Sequence, residues 1–443
     1  MRRPPNARRR EVFGWAMFDF ANQGYTLLII TVIFGDLFTR VIVGDAANDY
    51  RLGNLLWSLA LSAGYLLVVL TAPVFGAVMD YTATRKRFLF ASYVLTVVAT
   101  AALYFVEPGL AWLGVLLIIV SNYAYAIGES FIASFLPGLG KPSAMGRISG
   151  FGWALGYVGG LVATAFALVF LGEVSVENFE RVRWVGPFAA GFFLLAAIPT
   201  FVWLREPGRP RRLPRPGGYL MLGLRRVRRT LAGLGELRDL AWLMGSIFFS
   251  MCGIYIIIAF TFIYGAQVIG WDEPVRVAMF VVVQLTATAG ALGFGFIQDR
   301  IGAKFTYGMT LLMWVLAVVL VYTTPDIAAF GGRLFGVTWE AQHVFVVVGV
   351  LAGTCLGATQ SAGRALVGTL APPARAAELF GFWGLASKAA AIVGLLGLGL
   401  LQAALGLRLA ILVCALLFLA AWLVLMKVDE QRGRRAAHGD GWA

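Results

Sequence analysis

The sequence returns repeatedly to apolar runs of about twenty residues, the length a helix needs to cross the hydrocarbon of a bilayer. That recurrence constrains the fold more than any other feature. Only 13% of the 443 residues are charged, 60% are hydrophobic, and the mean hydropathy is +0.80. A water-soluble domain carries roughly 25% charged residues, so this chain would expose more apolar surface than water tolerates. The reading is an all-α membrane protein, with helices near 14–39, 52–79, 88–106, 110–136, 146–171, 184–204, 241–268, 275–297, 304–322, 344–370, 377–403 and 406–427. Only Glu107-Pro108-Gly109 separates the third from the fourth.

The placement of charge orients these twelve spans. With both tails on one side, that side collects 28 of the 36 Lys and Arg residues and the other side 7, with Lys388 inside a span. The positive-inside rule then puts both tails in the cytoplasm. The net charge of +13 is accounted for by topology, and no nucleic-acid partner is expected. Arg2, Arg3, Arg8, Arg9 and Arg10 lead into the first apolar run without a small-residue cleavage pattern, so that run is retained as a span. With no organelle-targeting extension visible, the expected location is the plasma (inner) membrane.

The longest hydrophilic stretch, 205–240, divides the chain into a basic tail (1–13), a six-helix half (14–204), the linker, a second half (241–427) and a tail (428–443). The linker opens with the Pro/Arg-rich run Arg205–Pro216, a poor helix former. Leu220, Leu224, Val227, Leu231 and Leu234 then recur at helical spacing among Arg225, Arg226, Arg228 and Arg229. That pattern predicts a basic amphipathic helix on anionic headgroups.

The two halves repeat the same punctuation. Gly76-Ala-Val-Met-Asp80 and then Arg85 follow the second span; Gly295-Phe-Ile-Gln-Asp299-Arg300-Ile-Gly302-Ala-Lys304 follows the eighth, 219 residues later. Ser149-Gly150-Phe151 is echoed by Phe380-Gly381-Phe382 at an offset of 231, the extra twelve residues being assigned to a longer outer loop at 323–341. Duplicated six-helix halves are a transporter signature. Glycine at a helix end permits close approach, and the Asp can cap the positive end of the next helix while Arg or Lys pairs with a carboxylate. These residues are read as a cytoplasmic latch.

The second copy, G-x-x-x-D-R-x-G-x-K, resembles the loop motif of the major facilitator superfamily. The first copy has Tyr81 where Arg is usual and no Gly before Arg85, which predicts a weaker clasp there. A finer resemblance rests on Trp15-Ala-Met-Phe-Asp19-Phe-Ala-Asn22, Phe135-Leu136-Pro137, Gly146-Arg147-Ile-Ser149-Gly150-Phe-Gly152-Trp-Ala-Leu-Gly156-Tyr157, and Glu378-Leu-Phe-Gly381-Phe-Trp with Lys388. Together these are similar to the vacuole-effluxer-like branch, named for the autophagy-related vacuolar amino-acid effluxer. Gly363 before Arg364, where that branch usually has Ser, and Gly138-Leu139 after Pro137, where an acidic residue is common, are departures. The resemblance implies a major-facilitator-type fold of twelve helices in two pseudo-symmetric halves, and amino-acid-like efflux.

Ionisable groups in lipid are costly and usually face a bundle interior. Lys388 lies about 16 Å into its helix, Glu129 about 10 Å and Asp19 about 8 Å, at 1.5 Å per residue. Asp19, Asn22 and Gln23 share a face, as do Asn122 and Glu129 with Tyr125 one turn before the Glu; Gln360, the repeat counterpart of Glu129, stands one turn before Arg364. Under the resemblance, the first, fourth, seventh and tenth helices line a cavity, which makes these residues a substrate or proton pathway. Asn and Gln also serve as interhelical ties, and Asp19 or Arg364 can reach the interface by snorkelling. Lys388 is read either as a contact for a substrate carboxylate or as the partner of a buried acid. The stripes Gly152, Gly156, Gly160 and Gly394, Gly397, Gly399 are read as packing surfaces, the first against a helix of the other half.

Cys252, Cys355 and Cys414 each sit alone in apolar runs, and His343 and His438 lie far apart, so no metal or cofactor is expected. Without a Walker motif, direct ATP coupling is not expected either. The leading function is a monomeric secondary transporter of a small polar solute, with protons as the expected coupling ion and a uniporter as the open alternative. A non-transporting receptor or scaffold of the same fold is the alternative, against which the buried Asp19, Glu129 and Lys388 count. An intramembrane enzyme would need a nucleophile–base or metal constellation that these spans do not offer.

Overall fold

The computed structural model describes residues 8–48, 50–208, 218–232, 235, 237–335 and 340–438. Arg2, Arg3, Leu234 and most of the Arg205–Pro216 run lie outside the described residues. Among those described, twelve helices are long and apolar enough to cross a membrane. Spans 1 to 6 are Arg9–Val43, Arg51–Thr82, Arg85–Phe105, Ala111–Leu139, Pro142–Leu171 and Phe179–Trp203. Spans 7 to 12 are Arg238–Ala259, Glu273–Ile301, Ala303–Gly331, Ala341–Leu370, Pro373–Gly394 and Ala404–Met426. A linker helix, Tyr219–Ala232, and a terminal helix, Glu430–His438, complete the set used below. No strand occurs among the described residues.

The repeat extends into helix geometry. Span 1 widens into π-type turns at Thr26–Val32 and Phe38–Val43, and the helix of span 7 continues into another at Gly265–Ile269. Such wide turns are rare and break the regular register of side chains along a helix. Spans 3 and 4 part at Glu107-Pro108-Gly109, where Leu110 N–H closes a turn on the Glu107 carbonyl at 2.9 Å. One expectation fails here: 323–341 is not mainly a loop, because the helix of span 9 runs through Pro325 to Phe335. Thr324 and Ala328 are buried beyond the expected end, and Asp326 pairs with Arg408, so packing carries the helix past its proline.

The chain forms two compact units, and neither coincides with a sequence half. The first comprises Met1–Lys141, Leu155–Ala232 and Pro373–Lys388; the second comprises Pro142–Ala154, Gly233–Pro372 and Ala389–Ala443. Each unit therefore contains the start of a span borrowed from the other sequence half: span 11 in the first, span 5 in the second.

Within the first unit, the indole N–H of Trp15 donates to the Ile132 carbonyl at 2.8 Å, tying span 1 to span 4. Thr200 donates to the Gly14 carbonyl at 2.6 Å, tying span 6 to span 1. Buried Arg183 on span 6 bonds the Tyr104 carbonyl and Glu107 at 2.7 Å, closing the opposite end of span 3. Within the second unit, Trp314 stacks on Phe418 at 5.1 Å and Ser246 donates to the Ala421 carbonyl.

The first glycine stripe packs differently from expectation. A Cβ at Gly156 would meet Gln23 Cγ at 3.2 Å and the Asp19 carbonyl oxygen at 3.3 Å, so this face of span 5 lies on span 1 of its own half. The approach to the other half comes earlier, at Gly146 and Gly150, which press on the backbone of span 8. The physical reason is the early turn of span 5, which belongs to the second unit up to Ala154. On span 11, Gly394 lies near the Cys252 carbonyl, while Gly397 has open space beside it.

Candidate functional site

Two capped helix starts form the first part of the site. In the first unit, the Asp80 carboxylate accepts the backbone N–H groups of Ala377 at 3.1 Å and Glu378 at 2.8 Å. In the second, Asp299 accepts those of Gly146 at 2.9 Å and Arg147 at 3.3 Å. The repeat offset of 231 maps one amide pair onto the other. A helix N-terminus leaves its first N–H groups unpaired and carries partial positive charge, so a carboxylate there satisfies both. The expectation that each Asp caps the next helix is corrected: Asp80 caps span 11 and Asp299 caps span 5. Glycine makes this possible, since Gly76 packs directly on the Ala377 carbonyl and Gly295 lies against Gly146 and Arg147.

The first clasp is the more fully bonded, against expectation. Arg85 reaches back from the start of span 3 and bonds Asp80 at 2.6 and 3.1 Å, then donates to the carbonyls of Ser134 and Pro373. It thus supplies the guanidinium that position 81 lacks. In the second clasp Arg147 lies beside Asp299 at 3.6 Å, while Arg300 is exposed. Lys304 contributes its backbone N–H to Glu430. At the turns, Gly302 and Ala83 occupy equivalent positions and both have positive φ, +99° and +49°.

Sequence reasoning missed a third repeated device. Glu206 accepts the N–H groups of Arg85 at 2.9 Å and Lys86 at 2.6 Å, capping span 3. Glu430 accepts that of Lys304 at 2.8 Å, capping span 9. Arg85 and Lys304 are related by the 219-residue offset. The signal was present in Leu204-Arg205-Glu206 and Val428-Asp429-Glu430, an acid shortly after the sixth and twelfth spans. Burial pushes the Glu206 carboxyl above its ordinary value, with the two N–H bonds pulling the other way.

The second part of the site lies within the first unit. Lys388 Nζ is 2.6 Å from Glu129 Oε2, with the Lys side chain 7% exposed and the Glu side chain 21%. The ammonium also lies 5.3 Å from the Tyr65 ring and 5.9 Å from that of Tyr125. Cation–π contact of this kind steadies a desolvated ammonium. The Tyr125 hydroxyl donates to Glu129 Oε1 at 3.2 Å and shares a 2.7 Å bond with Thr26 at the wide turn of span 1. Tyr25 stacks on Tyr125 at 4.6 Å and bonds Ser121. Of the two roles left open for Lys388, the geometry shows it paired to an acid, the half-buried Glu129.

The other residues expected on a pathway divide by unit. Asn122 donates to the Leu61 carbonyl at 3.1 Å, tying span 4 to span 2, while its Oδ1 is buried without a partner. Asn22 Oδ1 is likewise buried and unpartnered. Asp19 is buried, and Gln23 is half-buried against Gly156. In the second unit, buried Arg364 donates to Ser149 Oγ at 3.1 Å and to the Ser149 carbonyl at 3.0 Å, beneath the Trp153 ring. Ser149 in turn donates to the Ser361 carbonyl at 2.9 Å. Arg364 thus holds the start of span 5 onto span 10, one turn from the amides that Asp299 caps. Gln360 is half-buried on the same helix. Tyr25, Thr26 and Tyr65 were not singled out from sequence; a tyrosine amid Leu61-Ser-Ala-Gly-Tyr65-Leu was the available signal.

Comparison with solved structures bears on the fold. The proton:xylose symporter XylE superposes with a TM-score of 0.71 at 14% identity, covering 96% of this chain and 97% of that one. The human organic anion transporter MFSD10 gives 0.68 at 17%, covering 94% and 99%. At these identities the likeness speaks for the fold alone, which is that of the major facilitator superfamily in two six-helix halves. The chain is a multi-pass membrane protein of the major facilitator transporter type. It belongs to the family described as vacuole effluxer Atg22 like, whose profile matches residues 56–438. The MFS-type transporter YxiO of Bacillus subtilis is 22% identical over 391 residues, covering 86% of this chain and 85% of the relative. Autophagy-related protein 22-1 of Aspergillus niger is 22% identical over 301 residues, covering 66% and 48%. The chain spans about half the length of the fungal relatives it matches.

Proposed function

We propose that the chain is a proton-coupled secondary transporter that exports a small polar, amino-acid-like solute by alternating access of its two halves. The observation that carries this reading is the Glu129–Lys388 pair, held at 2.6 Å inside the helix bundle and flanked by Tyr65 and Tyr125. A buried ion pair is a poor way to gain stability, because desolvation offsets most of the Coulomb attraction. It is well suited to exchange. Glu129 is the more exposed partner, so an incoming cation, a proton or a substrate ammonium, reaches it first and frees Lys388. The freed ammonium can then take an anionic group of the solute. A zwitterion satisfies both partners at once; a proton on Glu129 displaces the solute ammonium, and loss of that proton lets the ion pair form again.

The capped starts of spans 5 and 11 serve as the latch: they hold one state and part in the other. The charge asymmetry of the loops supports an orientation with both tails cytoplasmic; a plasma-membrane location and a monomeric state complete the proposal. Asp19, Asn22 and Gln23 join Glu129 along the path in the first unit, and Gln360 is the pathway residue assigned to the second. The test is uptake of radiolabelled amino acids into proteoliposomes, with and without a pH gradient. The gradient is expected to drive accumulation in the wild type. Glu129→Gln is expected to abolish the gradient-driven component. Uptake indifferent to the gradient, or unaltered in the Gln variant, refutes the coupling role.

A further inference from the structure

The linker helix Tyr219–Ala232 has three distinct stripes, and the middle one is apolar yet largely exposed among the described residues. Gly223, Arg226 and Thr230 recur at i, i+3 and i+7 and form the docked stripe. A Cβ at Gly223 would lie 2.7 Å from Val74 Cγ1. Arg226 donates to the Ala77 carbonyl at 3.3 Å, and its guanidinium lies 5.3 Å from the Tyr81 ring. The second stripe, about a quarter-turn away, consists of Leu220, Leu224 and Leu231, each about half exposed or more. The third, further round, is Arg225, Arg228 and Arg229, all exposed.

A helix fixed to protein on one side, greasy on the next and cationic beyond matches the boundary between acyl chains and anionic headgroups. Apolar side chains can enter the acyl region while arginines bind phosphates above it. The docked stripe also leads to the latch. Thr230 is buried; its hydroxyl donates to the Glu378 carboxylate and accepts from Arg375. Arg375 bonds Glu378 itself, at 3.2 and 3.4 Å, and the Glu378 N–H is one of the two that Asp80 caps. Tyr81, the departure from the usual motif, serves as the platform for Arg226.

We infer that the linker helix is a binding surface for anionic phospholipid, and that lipid bound there steadies the start of span 11 through Thr230. Anionic lipid favours the docked helix, the docked helix holds Arg375 and Glu378, and these hold the amides on Asp80. The chain thereby reads the charge of the leaflet beside its linker.

The experiment is amide hydrogen exchange on the full chain in nanodiscs of phosphatidylcholine alone or with phosphatidylglycerol added. Phosphatidylglycerol is expected to slow exchange in both 219–232 and 373–380. Each arginine near an anionic surface strengthens attachment about fivefold, so replacing Arg225, Arg228 and Arg229 by Gln is expected to remove roughly a hundredfold of that protection. Thr230→Val is expected to keep the lipid effect in 219–232 and lose it in 373–380. Equal exchange of 219–232 in the two lipids overturns the lipid surface, as does equal protection by inorganic phosphate over phosphatidylcholine. Protection confined to 219–232 in the wild type overturns the coupling.

Discussion

The Asp80 clasp on the start of span 11 can be opened by one methyl group. In Gly76→Ala the new Cβ lies 2.6 Å from the Ala377 carbonyl carbon and 2.8 Å from Glu378 Cα, and closer still to the Ala377 oxygen. All three are backbone atoms that cannot rotate away. Moving from 2.6 Å to an ordinary 3.4 Å contact takes about 0.8 Å of helix separation. The same shift stretches the Asp80 bonds from 2.8 and 3.1 Å beyond the hydrogen-bond range. Hydrogen bonds to a charged group contribute about 1.5–3 kcal/mol each, so the clasp loses about 3 kcal/mol or more. That corresponds to roughly a 150-fold rise in the open fraction. Exchange of the Ala377 and Glu378 amides reports this directly, because its rate follows local opening. The expected result is acceleration by about two orders of magnitude. Gly191→Ala, where a Cβ meets nothing within 4 Å, is the control and is expected to leave those amides unchanged. Wild-type exchange rates at Ala377 and Glu378 in the Gly76→Ala protein would refute the assignment of the clasp to this contact.

Three further outcomes are expected. Glu129→Gln and Lys388→Met are each expected to destabilise the protein by about 3 kcal/mol, and the double variant by clearly less than their sum; additive losses in detergent unfolding would show that the pair is not coupled. Ala83→Gly is expected to stabilise by about 1 kcal/mol, since Ala83 sits at φ +49° where alanine is strained and the equivalent position already has Gly302; an unchanged or lowered melting temperature counts against strain at that turn. Because burial raises the Glu206 carboxyl, the folded chain holds that proton more tightly than the unfolded chain; stability contributed there falls as pH rises from about 4.5 through the raised value and is flat above it. Glu206→Gln is expected to remove that slope from melting curves taken across this range, and an identical slope in the variant contradicts the assignment.

Much of this protein is legible along the chain because it depends on local order. Spans follow from apolar length, their division into two sixes from the long linker, and the position of the two capping carboxylates from Gly76 and Asp80 repeated as Gly295 and Asp299. What only the tertiary structure decided is which groups meet. Asp80 caps amides 297 and 298 positions away, and Lys388 pairs with an acid 259 positions away. No local period encodes such distances, since they depend on how helices cross and which glycines let backbones touch. The same holds for Arg364, whose sequence position suits a cavity but whose bonds run to Ser149 at the start of span 5. Apolar length is a one-dimensional property and can be read off the chain; a carboxylate's partner is a property of crossing helices, and only packing selects it.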